Sequence, residues 1–182
     1  MMLEDRHLVW RLKQGSPRAL CRIYNRYEAD LLTLARSLLG GTDLAQDVLQ
    51  DVFVKFIESI DSFELTGSLK GYLITCVVNR ARDYLRRKRC RDGESLGAAQ
   101  AVESNQQGPL QAAIAVERQE KLITALAELP YEQREAVLLH LQTGLKFREI
   151  ASIQRVSAKT AESRYRYGLH RLRSMLNGQE ET

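Results

Sequence analysis

Apolar residues recur every three to four positions along most of the chain, and no sustained alternation of apolar and polar residues interrupts them. That spacing marks amphipathic helices rather than strands, because 3.6 residues complete a helical turn. The expected fold class is therefore all-α. A first short helix should span about residues 4–14 and stop at Gly15. Ser16-Pro17 reads as an N-cap followed by a first-turn proline, opening a helix that runs to Leu39 and stops at Gly40-Gly41. Asp43 with Gln46 forms a capping box for the next helix. Its stripe is Leu44, Val48, Leu49, Val52, Phe53, Phe56, Ile57 and Ile60. A loop at Asp61–Gly67 precedes a long helix that starts near Ser68, carries Leu69, Leu73, Val77, Ala81 and Leu85 on its apolar side, and ends in a basic run.

The pattern breaks at about residue 92. From Asp92 to Pro109 the chain is rich in Gly, Ser, Ala, Asn and Gln and poor in large apolar residues, the composition of a flexible linker. Leu110–Leu129 is amphipathic again, Pro130 restarts a helix to Gln142, and Gly144 ends it. Two small helical domains are expected, a bundle over 1–91 and a second domain over 110–178, joined by a linker at 92–109.

The second domain contains the pattern of a helix-turn-helix. Phe147–Gln154 forms one short helix, Arg155-Val156-Ser157 the turn, and Ala158–Tyr165 opens the next helix. Ile150 and the small Ala151 let the two axes approach, Val156 plugs the turn, and the Ser157 hydroxyl can accept an orphan N–H as N-cap. The helix after the turn presents Lys159, Thr160, Glu162, Ser163, Arg164 and Arg166, groups able to reach phosphates and base edges. An ordinary helical hairpin is the structural alternative.

Charge sharpens this picture. Residues 79–91 hold seven basic groups and one acid. Taking that local +6 from the net +4 leaves about −2 for the remainder. So concentrated a patch suits a polyanion, although a solvated basic helix end also satisfies the helix dipole. The first residues carry acids and lack the apolar run of a signal peptide, and no stretch approaches the ~20 apolar residues of a membrane span. Cys21, Cys76 and Cys90 form no metal-ligand spacing; Cys21 and Cys76 fall in apolar stretches and read as core thiols. His7, His140 and His170 are scattered. No phosphate-binding loop, nucleophile elbow or carboxylate pair is present. These features suggest a reduced, cytoplasmic protein without catalytic residues, cofactor or metal.

On the helix after Asp43 a polar face of Asp47, Gln50, Asp51 and Glu58 lies opposite the apolar stripe. It is either a docking surface or a plain solvated face. Here the motifs resemble a family. Ala19-Leu-x-x-Ile-Tyr-x-x-Tyr27, Asp47-Val-Leu-Gln-Asp-Val-Phe53, Phe63 through Gly71-Tyr72-Leu73, Asn79-Arg-Ala-Arg-Asp-Tyr-Leu-Arg-Arg87, Leu126-Ala-Glu-Leu-Pro130 with Arg134, and Phe147-Arg-Glu-Ile-Ala151 with Ser163-Arg164 follow one another. In that order they resemble bacterial RNA polymerase sigma factors of the extracytoplasmic-function type. The resemblance implies a first domain docked on the polymerase clamp helices, with Asp47, Gln50 and Asp51 in contact and Phe53 packed inward. It implies that Asn79, Arg82, Asp83, Arg86 and Arg87, with Arg80 among them, hold the promoter −10 element. The loop at Asp61–Lys70 would cradle an extruded base, which costs about a few kcal/mol to unstack. The helix-turn-helix would read the −35 element through Ser157, Lys159, Thr160, Glu162, Ser163, Arg164 and Arg166. The side near Tyr131–Leu141 would meet the polymerase flap. The implied partners are thus core RNA polymerase and promoter DNA, with an anti-sigma factor as a further class, and no membrane insertion.

Three positions depart from the family pattern. Tyr72 stands where tryptophan is frequent. Arg155 replaces the turn glycine and would have to adopt a positive φ. Ala161-Glu162 stands for Val-Lys, so Glu162 either accepts a hydrogen bond from cytosine N4 or pairs with Arg166 one turn on. Two other classes compete with the sigma reading. A stand-alone DNA-binding regulator leaves the Asp47–Asp51 face unexplained, and an antagonist or decoy would bind polymerase without initiating.

Overall fold

The computed structural model describes residues 2–40, 42–92 and 121–177. Among them every regular element is an α-helix. Helices α1 (Met2–Lys13), α2 (Pro17–Leu39), α3 (Thr42–Glu58) and α4 (Leu69–Asp92) belong to one compact unit. The helical residues 121–127 (α5) with α6 (Tyr131–Thr143), α7 (Phe147–Gln154) and α8 (Ala158–Asn177) belong to a second. The expected linker, apart from Asp92, and most of the segment 110–129 lie outside the described residues, as does the Asp43 side chain expected to cap α3.

The first unit is organised by α2, which packs against α1 and α4. Its stripe Ile23, Tyr27, Leu31, Leu34 and Leu38 is buried together with Leu8 and Leu12 of α1 and Leu69, Leu73 and Val77 of α4. A buried polar contact joins α1 to α2. Asp5 is 2% exposed and accepts from the Tyr27 hydroxyl at 2.7 Å and from Arg26 at 3.0 Å. A buried carboxylate is tolerated only when paired in this way. Burial of the phenol, helped by its bond to Asp5, pushes Tyr27 up to about 12.

Helix α3 buries Val48, Leu49, Val52, Phe53 and Phe56. Ile57, counted in its apolar stripe by sequence, is 38% exposed, and Cys21, expected in the core, lies on the outer side of α2. Both border an open groove of about 530 Å³ between α2 and α3. The stripe is therefore wider than the surface its neighbours cover. Cys76 is half-buried, and burial pushes its thiol up.

In the second unit α8 packs on α6 and α7. Val137, Leu139, Ile150, Ala151, Ala161 and Leu172 form its buried centre. Gly144 closes α6 with φ 70°, its N–H donating to the His140 carbonyl at 3.2 Å. Glycine adopts that left-handed cap without a Cβ clash.

Candidate nucleic-acid and partner interfaces

The acidic face is set by the inward pull of the α3 stripe. Asp47 and Gln50 are exposed and Asp51 is half-buried. Phe53 turns inward, 5% exposed, with its ring 4.8 Å from that of Tyr24. Asp51 is not an isolated acid. Its Oδ2 accepts from Arg80 Nε at 2.8 Å and also from Arg80 Nη2. One side chain predicted for polymerase and one predicted for DNA are thus joined across α3 and α4.

Of the remaining α4 groups, Asp83 and Arg87 share the face of Arg80 by helical phase, while Asn79, Arg82 and Arg86 lie round to one side. Asn79, Arg86 and Arg87 are exposed, and Arg82 and Asp83 are half-buried. Arg86 pairs with Asp83 one turn back at 3.1 Å. This i,i+3 pair partly neutralises the strip on the side where phosphates are expected.

The loop before α4 is held by aromatic packing. Phe63 stands edge-on to Phe56 with centroids 5.3 Å apart and lies 4.6 Å from Tyr72, which is itself 5.9 Å from Phe56. Tyr72 therefore fills the aromatic position with its ring, and burial raises its phenol. Ser68 caps α4 through a bond from the Gly71 N–H at 3.3 Å. Lys13 reaches the Asp61 carbonyl at 3.2 Å, and Lys70 pairs with Asp30 at 2.6 Å, so both ends of the loop are tied to other helices.

The helix-turn-helix forms as its local chemistry requires. Ser157 Oγ accepts the Thr160 N–H at 3.0 Å, the N-cap bond expected from its type. Arg155 sits at φ 55°, ψ 45° and closes α7 in the left-handed conformation. An L-residue other than glycine pays about 1 kcal/mol there. Replacement by glycine loosens the unfolded chain and returns part of that gain. Arg155→Gly should therefore stabilise the second unit by ~0.5 kcal/mol, while Arg155→Ala should give no gain; urea titration of both variants checks this.

On α8, Lys159, Thr160, Glu162 and Arg166 are exposed and Ser163 is half-buried. The Glu162–Arg166 ion pair does not form among the described residues, which leaves the Glu162 carboxylate open to solvent. Arg164 differs from its neighbours. It donates to Gln154 Oε1 at 3.0 Å, and Gln154 Nε2 donates to the Glu132 carbonyl at 2.9 Å. That chain ties α8 to α7 and α6, a structural role that the sequence did not indicate. His140 likewise serves packing: it stacks on Phe147 with centroids 4.7 Å apart, meets Tyr165 edge-on at 4.7 Å, and donates from Nδ1 to the Leu145 carbonyl at 3.0 Å. Leu141, on the stretch expected to face the flap, is 58% exposed.

Among the described residues no helix is long and apolar enough to cross a membrane, and no group of acids, histidines and cysteines could hold a metal ion.

A helical unit with an acidic helix beside a basic one, followed by a helix-turn-helix unit, defines a DNA-binding transcription protein. Residues 23–91 match the family Sigma-70 region 2, and residues 119–172 match Sigma-70, region 4. The chain is 28% identical over 185 residues to the RNA polymerase sigma factor CnrH of Cupriavidus metallidurans, covering 97% of this chain and 96% of that one. It is 31% identical over 147 residues to the ECF RNA polymerase sigma factor EcfG of Rhodopseudomonas palustris, covering 80% and 78%. The sigma factor RpoE of Bartonella quintana, solved in complex with the anti-sigma factor NepR, superposes with a TM-score of 0.71 at 26% identity, covering 86% of this chain and 95% of that one. The chain belongs to the ECF sigma factors of RNA polymerase, proteins that confer promoter-specific initiation on the core enzyme.

Proposed function

We propose that residues 1–91 dock on the polymerase clamp helices through Asp47, Gln50 and Asp51 and hold the −10 element with the 61–70 loop and α4. Residues 110–178 read the −35 element in duplex form through α8, and residues 92–109 tether the two. The observation that carries this division is the opposite charge of adjacent helices in one unit: exposed Asp47 on α3, exposed Arg86 and Arg87 on α4. A single partner of either sign would use only one of those surfaces. Polymerase and promoter DNA use both, whereas a stand-alone regulator has no need of the acidic one.

On α8, Lys159 and Arg166 are suited to phosphates, and Thr160, Glu162 and Ser163 to base edges, with the Glu162 carboxylate accepting from cytosine N4. Ser157 acts by capping and Arg164 by fixing the tilt of α8. The protein carries out no covalent step of its own; the polymerase does, which places its action in the cytoplasm. An anti-sigma factor is a further proposed partner, on the strength of the RpoE–NepR complex.

The test is co-elution with bacterial core RNA polymerase by size-exclusion chromatography. Asp47→Arg is the informative variant, since Asp47 is exposed, whereas Asp51→Arg would set two guanidiniums against each other. Like charge at an interface costs several kcal/mol, so run-off transcription should fall about tenfold or more, the equivalent of at least 1.4 kcal/mol, with helicity unchanged. Wild type that elutes apart from polymerase yet binds duplex DNA would overturn this function in favour of a stand-alone regulator.

A further inference from the structure

Two side chains proposed to serve different partners are bonded to each other. Arg80 presents its Nε and Nη2 edge to a single carboxylate oxygen of Asp51. That edge is one of the two with which a guanidinium can grip a phosphate through two parallel bonds. While Asp51 holds it, Arg80 cannot offer it to DNA, and Asp51 has one oxygen already filled by two donors. The pair spans α3 and α4, the helices that carry the acidic and basic surfaces. The Arg80 side chain is 25% exposed and that of Asp51 44%. An ion pair so open to water contributes little net stability, so a competing partner can displace it.

We propose that Asp51–Arg80 is an exchange latch that couples polymerase docking to DNA capture. This inference rests on the docking and −10 assignments above. In the free chain Asp51 withholds Arg80 from phosphate. A basic group of the polymerase that takes Asp51 releases the guanidinium to act with Arg87 on its own face and with the neighbouring strip of Asn79, Arg82 and Arg86. By linkage, a phosphate that takes Arg80 frees Asp51 for polymerase.

The latch is tested on the full chain by fluorescence anisotropy with a labelled oligothymidylate of about 20 nucleotides, over a range of NaCl concentrations and without polymerase. Asp51→Asn should bind about fivefold tighter, with the slope of log affinity against log salt steeper by about 0.7, as one added phosphate contact requires. Asp51→Ala, which cannot hydrogen-bond Arg80, should behave alike. Asp47→Asn removes the same charge from the same helix away from Arg80 and measures the general electrostatic gain, which should be smaller. In an Arg80→Gln background the Asp51→Asn gain should shrink to the Asp47→Asn level. Reciprocally, Arg80→Gln should bind core polymerase about threefold tighter, by the same reciprocity of coupling. A gain no larger than that of Asp47→Asn, or one that survives without Arg80, would sink the latch. A DNA gain without tighter polymerase binding by Arg80→Gln would overturn the coupling. If no variant, wild type included, binds polymerase, the proposed function fails, and the DNA arm still decides whether Asp51 restrains Arg80.

Discussion

Gly168→Ala should destabilise the helix-turn-helix unit by ~1–2 kcal/mol, against the direction of helix propensity. In an open helix the change would gain about 1 kcal/mol, because alanine is the better helix former. At Gly168 an added Cβ would lie 2.9 Å from Val137 Cγ2, and 3.2 Å from both the Cβ and the carbonyl oxygen of Gln133. One of those atoms is α6 backbone. The other close one belongs to a β-branched side chain that is 1% exposed and has a single favoured rotamer in a helix. Neither yields without moving α6 away from α8. Overpacking of this kind costs about 1–3 kcal/mol, which exceeds the propensity gain, and Gly168→Val should cost ~3 kcal/mol or more by the same mechanism. Hydrogen exchange resolved along the chain separates the units: amides of α6 and α8 should lose protection while those of α2 and α4 keep theirs. Equal or greater protection in Gly168→Ala would show that α6 and α8 do not rely on this close approach.

Gly168 also marks where the sequence stops being legible. An isolated glycine inside an amphipathic helix is a signal of close packing, but it does not say against what. What could be read was local. Ser157 caps α8 by accepting the N–H three residues on, and Arg155 must turn the chain wherever α7 ends, so both are predictable from type and spacing. The helices themselves followed from their stripes, because burial of one face follows from periodicity. Partners distant in sequence did not follow. The charge of Arg164 alone suggests a DNA group, whereas its acceptor lies on α7. The sequence likewise shows Arg80 only as one cation of a run, while its carboxylate lies 29 residues earlier. Ile57 and Cys21 lie outside the core because an apolar stretch gives direction and not the width of the neighbour that covers it.

The largest single loss in the first unit should come from Phe56→Ala. Phe56 is 1% exposed and meets both Phe63 and Tyr72. Truncating a buried phenylalanine costs about 3–5 kcal/mol, a large share of the 5–15 kcal/mol that holds a typical domain. Urea titration should register that loss, and Phe56→Leu, which keeps most of the volume, should lose less than about 1.5 kcal/mol. The functional effect should exceed the fraction unfolded. Phe63 is the loop's aromatic anchor, and its edge-on contact with Phe56 is one of two ring contacts that hold it; the other partner, Tyr72, leans on Phe56 as well. Without that ring, Phe63 and Tyr72 lose a shared support and the loop its fixed shape, so the proposed site for an extruded −10 base loosens. Preorganisation matters there because unstacking a base already costs about a few kcal/mol, and a site that must order itself adds to that cost. At a temperature where Phe56→Ala is still folded, promoter opening followed by 2-aminopurine fluorescence near −10 should fall about tenfold or more, since each 1.4 kcal/mol is a factor of ten, while −35 duplex binding is unchanged. If opening instead tracked the folded fraction alone, the aromatic trio would be a core contact and no part of the −10 site.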